Sequence, residues 1–252
     1  MTPDEETALA RFHADYPQPG PCELAVVIAA FNEESNIGAV LADIPATVVG
    51  LRATVIVVDD GSTDRTADVA RVHHALVGEL GRNHGQGVAL RLGYRLARDL
   101  GASYIATLDA DGQYSPSDLP VVLAPLLAGQ ADFVTGSRRL GSSIAPTLAR
   151  RIGTVIFAAL ASRLVGQHLT DTSNGLRAMR AEVTAAVTLR QPQYQAAELL
   201  LEVLASGYRL AEVPTVIHRR ASGRSKKGPS LVYGYRYARV MAGTWRRTAR
   251  RR

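Results

Sequence analysis

The chain of 252 residues has a single cysteine, Cys22, so no internal disulfide can form, and its six histidines show no spacing with cysteine that suits zinc. Such poverty in cysteine suits a reducing cytosol. Long apolar runs are also missing. The longest, residues 152–166, is interrupted by Arg163 and falls short of the roughly 20 residues that a membrane-crossing helix needs. Residues 1–21 are acidic and proline-rich rather than basic and then apolar, which is not the pattern of a secretory leader. Acidic residues are absent from 215–252, yet 12 of the 29 basic residues lie there, so the rest of the chain nets −6 against an overall +6. An acidic body with a basic tail points to an anionic partner surface. Disorder is excluded, because 46% hydrophobic residues at this length can bury a proper core.

What the chain has instead is a set of acids placed behind apolar runs. Residues 104–108 read as a strand that ends in Asp109 and Asp111, with Gly112 behind them. In open α/β sheets ligands sit beyond the carboxyl ends of the strands, so carboxylates placed there face a pocket. Two residues apart, they can share one hard cation, which can in turn hold a diphosphate. A plain surface turn is the alternative, since Asp and Gly are ordinary turn residues. An EF-hand is excluded: it needs Gly sixth and Glu twelfth, and counting from Asp109 gives Tyr114 and Pro120, from Asp60 Arg65 and Arg71.

Residues 25–30 are a continuous apolar run of the parallel-sheet kind, closed by a polar stretch at 31–35 and followed by a helix to about residue 41. A second strand at 54–58 is closed by residues 59–64 (Asp-Asp-Gly-Ser-Thr-Asp), and a helix spans about 65–74. There Asp64 reads as an N-cap and Asp60 as a ligand contact. Gly85-Gln86-Gly87 precedes a helix over about 88–100, and Leu90 stands where a dinucleotide fingerprint needs its third glycine, which discounts an NAD site. Residues 115–118 turn into a helix over 119–127, and 133–136 make a short strand ending in Ser137-Arg138-Arg139. Strands alternating with helices predict an α/β fold with a mostly parallel sheet flanked by helices. Such a sheet brings Asn32 and Glu33, Asp59 and Asp60, and Asp109 and Asp111 to one edge, beside the arginines that follow residue 136. Carboxylates for a metal with arginine for phosphate oxygens describe a nucleotide-diphosphate site.

Farther along, a helix over 147–164 begins with Arg150 and Arg151 and carries an apolar face for the sheet or for lipid. Residues 169–177 form a polar turn, a helix over 195–206 carries Glu198 and Glu202 and stops at Gly207, and Pro214 puts a late strand, 208–218, at an edge. Residues 219–228 are a Gly, Ser, Lys and Arg loop suited to an anion. The last helix, 230–250, gathers Leu231, Tyr235, Ala238, Ala242 and Trp245 on one face, with Arg236, Arg239, Arg246, Arg247 and Arg250 on its flank. This suits a membrane-surface helix, the alternative being a terminal helix packed on the body with a solvated basic side.

Together these segments resemble family 2 glycosyltransferases of the GT-A fold, and within them the dolichyl- or polyprenyl-phosphate mannosyl- and glucosyltransferase branch. The resemblance rests on residues 26–33 (Val-Val-Ile-Ala-Ala-Phe-Asn-Glu), 57–64, 83–87, 108–113 (Leu-Asp-Ala-Asp-Gly-Gln), 135–138, 171–177 and 220–226, in family order. It implies a GT-A domain over 23–228, between an N-terminal segment, 1–22, and a basic amphipathic helix, 229–252. Ala29, Phe31 and Glu33 would be the nucleotide-contacting loop, Asp60 the acid that reads the base, and Asp109, Ala110 and Asp111 part of the nucleotide-sugar site. Asp109, Asp111 and Gln113 would hold Mg²⁺ or Mn²⁺ on the donor diphosphate. Arg138 and either Arg150 or Arg151, with Arg220, Ser225 and Lys226, would contact phosphate oxygens, and catalysis would rest on Asp109, Asp111 and Arg138. The chain departs from the family in two ways: the family often has Pro at position 29 and Tyr at 31, and many bacterial relatives carry C-terminal transmembrane helices where this chain has only the basic helix.

The implied activity is metal-dependent, inverting transfer of a hexose from GDP-mannose or a UDP-hexose to polyprenyl phosphate. The enzyme would be cytoplasmic and peripheral on the inner face of an anionic membrane, with a membrane-spanning partner protein left open. A lipid phosphate is already anionic at neutral pH and needs no general base; a hydroxyl acceptor needs one, and Asp171 and Glu198 are the candidates. Glu198 reads otherwise as a solvated residue or a structural anchor. Nucleic acid is not an expected partner, because the tail lacks a recognition motif and the body is acidic. A non-catalytic nucleotide-sugar sensor is the remaining alternative.

Overall fold

The strand β1 (Leu24–Ala30) buries nearly every side chain on both faces, which is why its sequence is a continuous apolar run rather than an alternation. In the computed structural model, which describes residues 2–144, 148–220 and 230–249, this strand is central to the sheet. The strand β3 (Leu51–Asp59) pairs with one side of it and β5 (Tyr104–Asp109) with the other, both parallel. Beyond β3 lie β4 (Leu76–Glu79), parallel, and β2 (Thr47–Val48), antiparallel. Beyond β5, β7 (Arg177–Arg180) runs antiparallel to both β5 and β6 (Phe133–Ser143), and β8 (Leu210–Ile217) pairs parallel with β6. The order is β2-β3-β1-β5-β7-β6-β8, with β4 on β3, a mixed and mostly parallel sheet.

Helices cover both faces. Against Val26, Ile28 and Leu108 pack α2 (Glu34–Ala42), α3 (Thr66–Val72) and α5 (Leu119–Leu127); against Val27 and Ile56 pack α1 (Pro3–Asp15), α4 (Gln86–Asp99) and α7 (Ala181–Ala186). A third cluster joins α6 (Leu148–Val165), α8 (Gln195–Ala205) and α9 (Ser230–Ala249) around Ala161, Leu200, Tyr237 and Met241. Among the described residues, no helix is long and apolar enough to cross a membrane.

Three features differ from the sequence reading. The strand at Phe133 does not stop at Gly136: β8 pairs with it through Ser137 and, after an irregularity, again at Ser142 and Ser143. Gly141 allows this, since a Cβ there would lie 2.2 Å from the Thr215 carbonyl oxygen. Residues 1–22, which read only as acidic and proline-rich, contain α1, started by a reciprocal Thr2–Glu5 capping box and seated in the core by Phe12. Arg247, read with the basic flank of the last helix, instead points inward with the face that α9 turns to the body, Tyr237, Val240, Met241, Thr244 and Thr248, while Tyr235 and Trp245 are exposed. Leu231 and Arg250 have no described side chains. Two expectations hold as read: β8, with Pro214, is an edge strand, and α8 ends at Gly207, in the left-handed region at φ 80°.

Candidate active site

The sheet register brings the acids together. Ala29 is paired with Asp109 and Ala30 with Asp59, so the loops after β1, β3 and β5 leave the sheet at one level. The first two are bonded to each other: Asn32, at φ 51°, takes the Ser62 hydroxyl on its N–H (2.8 Å) and accepts from the Thr63 N–H (2.8 Å). The Glu33 N–H donates to the Thr66 hydroxyl at 2.8 Å. Asp64 accepts from the Thr66 N–H at 3.0 Å but is not the N-cap read from the sequence: α3 begins at Thr66, so the N-cap position falls on Arg65 and Asp64 stands one residue before it.

Asp60 is 3% exposed, and its two oxygens accept the N–H groups of His84 and Gly85, each at 2.8 Å. Burial pushes the carboxyls of Asp59 and Asp60 above the ordinary carboxylate range. Through these bonds Asp60 holds the loop that precedes α4. From the first turn of α4, Gln86 Nε2 donates to Asp109 Oδ1 at 3.0 Å, a contact that sequence reasoning missed because the glycines around it were weighed only as a dinucleotide signal.

Asp111 is 7% exposed and accepts from the Gln113 N–H at 3.0 Å. Burial first, then the neighbouring charge of Asp109, raises its pKa, even though Arg220 lies against it. The Arg220 guanidinium donates to Asp111 Oδ2 at 2.7 Å and to Glu33 Oε1 at 2.9 Å, spanning the first and third acidic loops. The Gln113 carbonyl accepts from the His218 N–H at 2.9 Å and its side-chain Nε2 donates to the His218 carbonyl at 3.2 Å, which fixes the end of β8 that leads to Arg220. Ala29 and Phe31 are half-buried beside this edge and Ala110 is buried. Gly175 allows the 170–175 turn to close on the acids: a Cβ there would lie 2.6 Å from Asp109 Oδ2.

Two residues given separate roles in the sequence reading are one ion pair. Arg138 Nε donates to Asp171 Oδ2 at 2.6 Å and Nη2 to Oδ1 at 3.2 Å, with Asp171 fully buried. The sign of this pairing shows in Arg138, whose pKa is raised although burial itself acts to lower it. Glu198 is fully buried and is an anchor rather than a solvated residue: Oε2 accepts the N–H groups of Arg190 and Gln191, and Oε1 accepts from Arg247 at 2.7 Å. Arg151 is exposed on α6, and no contact among the described residues joins it to the acids. The side chain of Arg150, and Ser225 and Lys226 altogether, lie outside the described residues.

Among the described residues, no group of three or more His, Cys, Asp and Glu side chains converges to cage a metal. The donor set nonetheless fits a hard divalent cation of the Mg²⁺ kind, which is commonly held by one or two carboxylates and completes its shell with water and phosphate oxygens. Asp109 and Asp111 supply those carboxylates, and the guanidinium of Arg220 shows that the site draws positive charge.

Residues 25–188 match the family described as Glycosyl transferase family 2. The dolichyl-phosphate hexose transferase of Haloferax volcanii is 39% identical over 208 residues, 82% of this chain and 87% of that protein. The dodecaprenyl-phosphate galacturonate synthase of Rhizobium johnstonii is 31% identical over 219 residues, 84% of this chain and 63% of that protein. A crystal structure of glucosyl-3-phosphoglycerate synthase from Mycobacterium tuberculosis, with Mn²⁺, UDP and glucosyl-3-phosphoglycerate, matches with a TM-score of 0.71 over 94% of this chain and 83% of that one, at 21% identity, which establishes a shared GT-A fold. A family match that runs from β1 past the acidic edge to the end of α7, and a relative this similar over most of both chains, make the chain a member of glycosyl transferase family 2 and an enzyme that transfers sugar.

Proposed function

We propose that the chain moves a hexose from a nucleotide-diphosphate sugar, GDP-mannose or a UDP-hexose, to polyprenyl phosphate, with inversion at C1 and with Mg²⁺ or Mn²⁺. The observation that carries this reading is the Asp109 and Asp111 pair at the end of β5, bridged through Arg220 to Glu33. Similarity to a dolichyl-phosphate hexose transferase supports the acceptor class. A divalent cation held by Asp109, Asp111 and Gln113 would supply positive charge to the departing diphosphate. The residues of the chain do the rest. Ala29 and Phe31 line the nucleotide, and Asp60 keeps the loop before α4 in place, so that Gln86 orients Asp109. Arg220 exchanges Asp111 for diphosphate oxygens when the donor enters, with Ser225 and Lys226 following it in sequence. Arg138, oriented by Asp171 and Ser173 through Nε and Nη2, would offer Nη1 to the acceptor phosphate.

What the two candidate bases are doing also supports this acceptor class. Asp171 is held bidentate by Arg138, and Glu198 by two backbone N–H groups and Arg247, so protonating either would break a buried charge pair. An acceptor that is already an anion avoids that step. For the setting, α6 exposes Ile152, Val155 and Ile156, and α9 exposes Tyr235 and Trp245 beside the arginines of its flank. An apolar strip with basic margins suits the cytosolic face of an anionic membrane, and a membrane-spanning partner protein is the other carrier to consider. The test is to offer the enzyme polyprenyl phosphate and the matching polyprenol with the same donors. Transfer to the phosphate alone is expected; transfer to the alcohol, lost in Asp171→Asn, would overturn the reading.

A further inference from the structure

A cavity of about 600 Å³ opens between α1, α4 and the stretch that follows α7, and none of the acids at the sheet edge lines it. Its Arg98 lies twelve residues along α4 from Gln86, about 18 Å at the helical rise, so the cavity and the acidic edge are separate places on one helix. The walls carry four guanidinium groups. Arg91 is tied to Glu5 at 3.2 Å and Arg95 to Asp99 at 2.8 Å, which fixes both. Arg98 donates to the Thr184 hydroxyl at 2.7 Å, and Arg190 is exposed at the rim; among the described residues neither has an ion-pair partner. Four arginines against Glu5 and Asp99 leave the cavity a net charge of +2. Burial first, and then the charge of Arg95, lower the pKa of Arg98, and the charge of Asp99 offsets them only in part. Between the arginines, Leu92, Val187 and Leu189 supply an apolar wall.

We propose that this cavity binds a small soluble phosphoester, its phosphoryl group on Arg98 and Arg190 and its apolar or flat body against Leu92, Val187 and Leu189. The volume is that of a small-ligand site, and guanidinium groups present paired donors matched to phosphate oxygens. The Glu5–Arg91 pair joins α1 to α4 across the cavity wall, so the shape is concave and suits a molecule rather than a bilayer.

Calorimetric titration of the full chain with phenyl phosphate and with inorganic phosphate, without divalent metal, tests this. Both bind, phenyl phosphate more tightly; Arg98→Gln with Arg190→Gln weakens both by at least about tenfold, as loss of charge-assisted bonds requires, and Asp111→Asn changes neither. Arg190→Gln alone, at an exposed position, weakens binding with an unchanged melting temperature and so separates ligand contact from misfolding. Binding that ignores the arginine substitutions, or that depends on Asp111, overturns the proposal. So does a loss of binding to phosphatidate vesicles in the arginine variants while phosphate binding is intact, which would assign the arginines to a lipid surface.

Discussion

Asp111 answers two demands that conflict. Its place behind a buried strand desolvates it and sets it beside Asp109, so in the free protein its charge is costly, and that same cost makes it a strong partner for a cation. A pKa raised in the folded state means that the native protein binds this proton more readily than the unfolded chain does. The contribution to stability is therefore full below the unfolded value and is lost as pH rises through the raised one. Asp111→Asn, neutral at every pH, should melt above the wild type at neutral pH, with the gap closing under acid, while activity falls by about a hundredfold or more. Melting curves at both pH values check this; a variant less stable at neutral pH would mean that the Arg220 pair outweighs desolvation. The convergence of Glu33, Asp109 and Asp111 on one edge was legible in the sequence because these acids stand directly behind apolar runs that read as parallel strands. The Arg138–Asp171 pair was not legible, since its members lie 33 residues apart on different elements and nothing local joins them. Gln86 was hidden for a similar reason, because it begins α4 and its partner Asp109 ends β5.

At the scale of elements, α9 carries two apolar stripes. Helical angles pick out the Tyr235 and Trp245 stripe in the sequence and cannot say which one the body takes. Met241, Tyr237 and Thr244 went inward, Tyr235 and Trp245 stayed out, and the arginines divided accordingly. Arg236, Arg239 and Arg246 are exposed, whereas Arg247 lies between Glu198 and Glu202, both fully buried. Changing the three exposed arginines to glutamine should weaken binding to anionic vesicles by about a hundredfold, at ~1 kcal/mol for each basic residue near the surface, and leave the melting temperature alone. Arg247→Gln should do the opposite, costing about 3–5 kcal/mol of stability because two buried carboxylates lose their counter-charge. Vesicle flotation and urea unfolding of the two variants separate these effects. Strands β1, β3 and β5 were legible as apolar runs buried on both faces. The strand β7 was not: Arg-Ala-Met-Arg is four residues long with a cation at each end, and only the neighbouring strands make it extended.

For the whole molecule, the sequence indicates a parallel sheet with acids at one edge, and that edge is where β1, β3 and β5 deliver them. The antiparallel insertion of β7 and the continuation of β6 along β8 depend on pairings between distant segments, which no local pattern records. They matter for function because they carry Arg138, the 170–175 turn and Arg220 to the acids. The measurement that tests the account most directly is transfer of labelled sugar from GDP-mannose, UDP-glucose and UDP-N-acetylhexosamines to polyprenyl phosphate, with Mg²⁺, with Mn²⁺ and with chelator, counting label that enters organic solvent. The account predicts metal-dependent, lipid-soluble label with one of these donors, abolished in Asp111→Ala. No lipid-soluble label with any donor, while a nucleotide sugar still binds in a metal-dependent way, would contradict it.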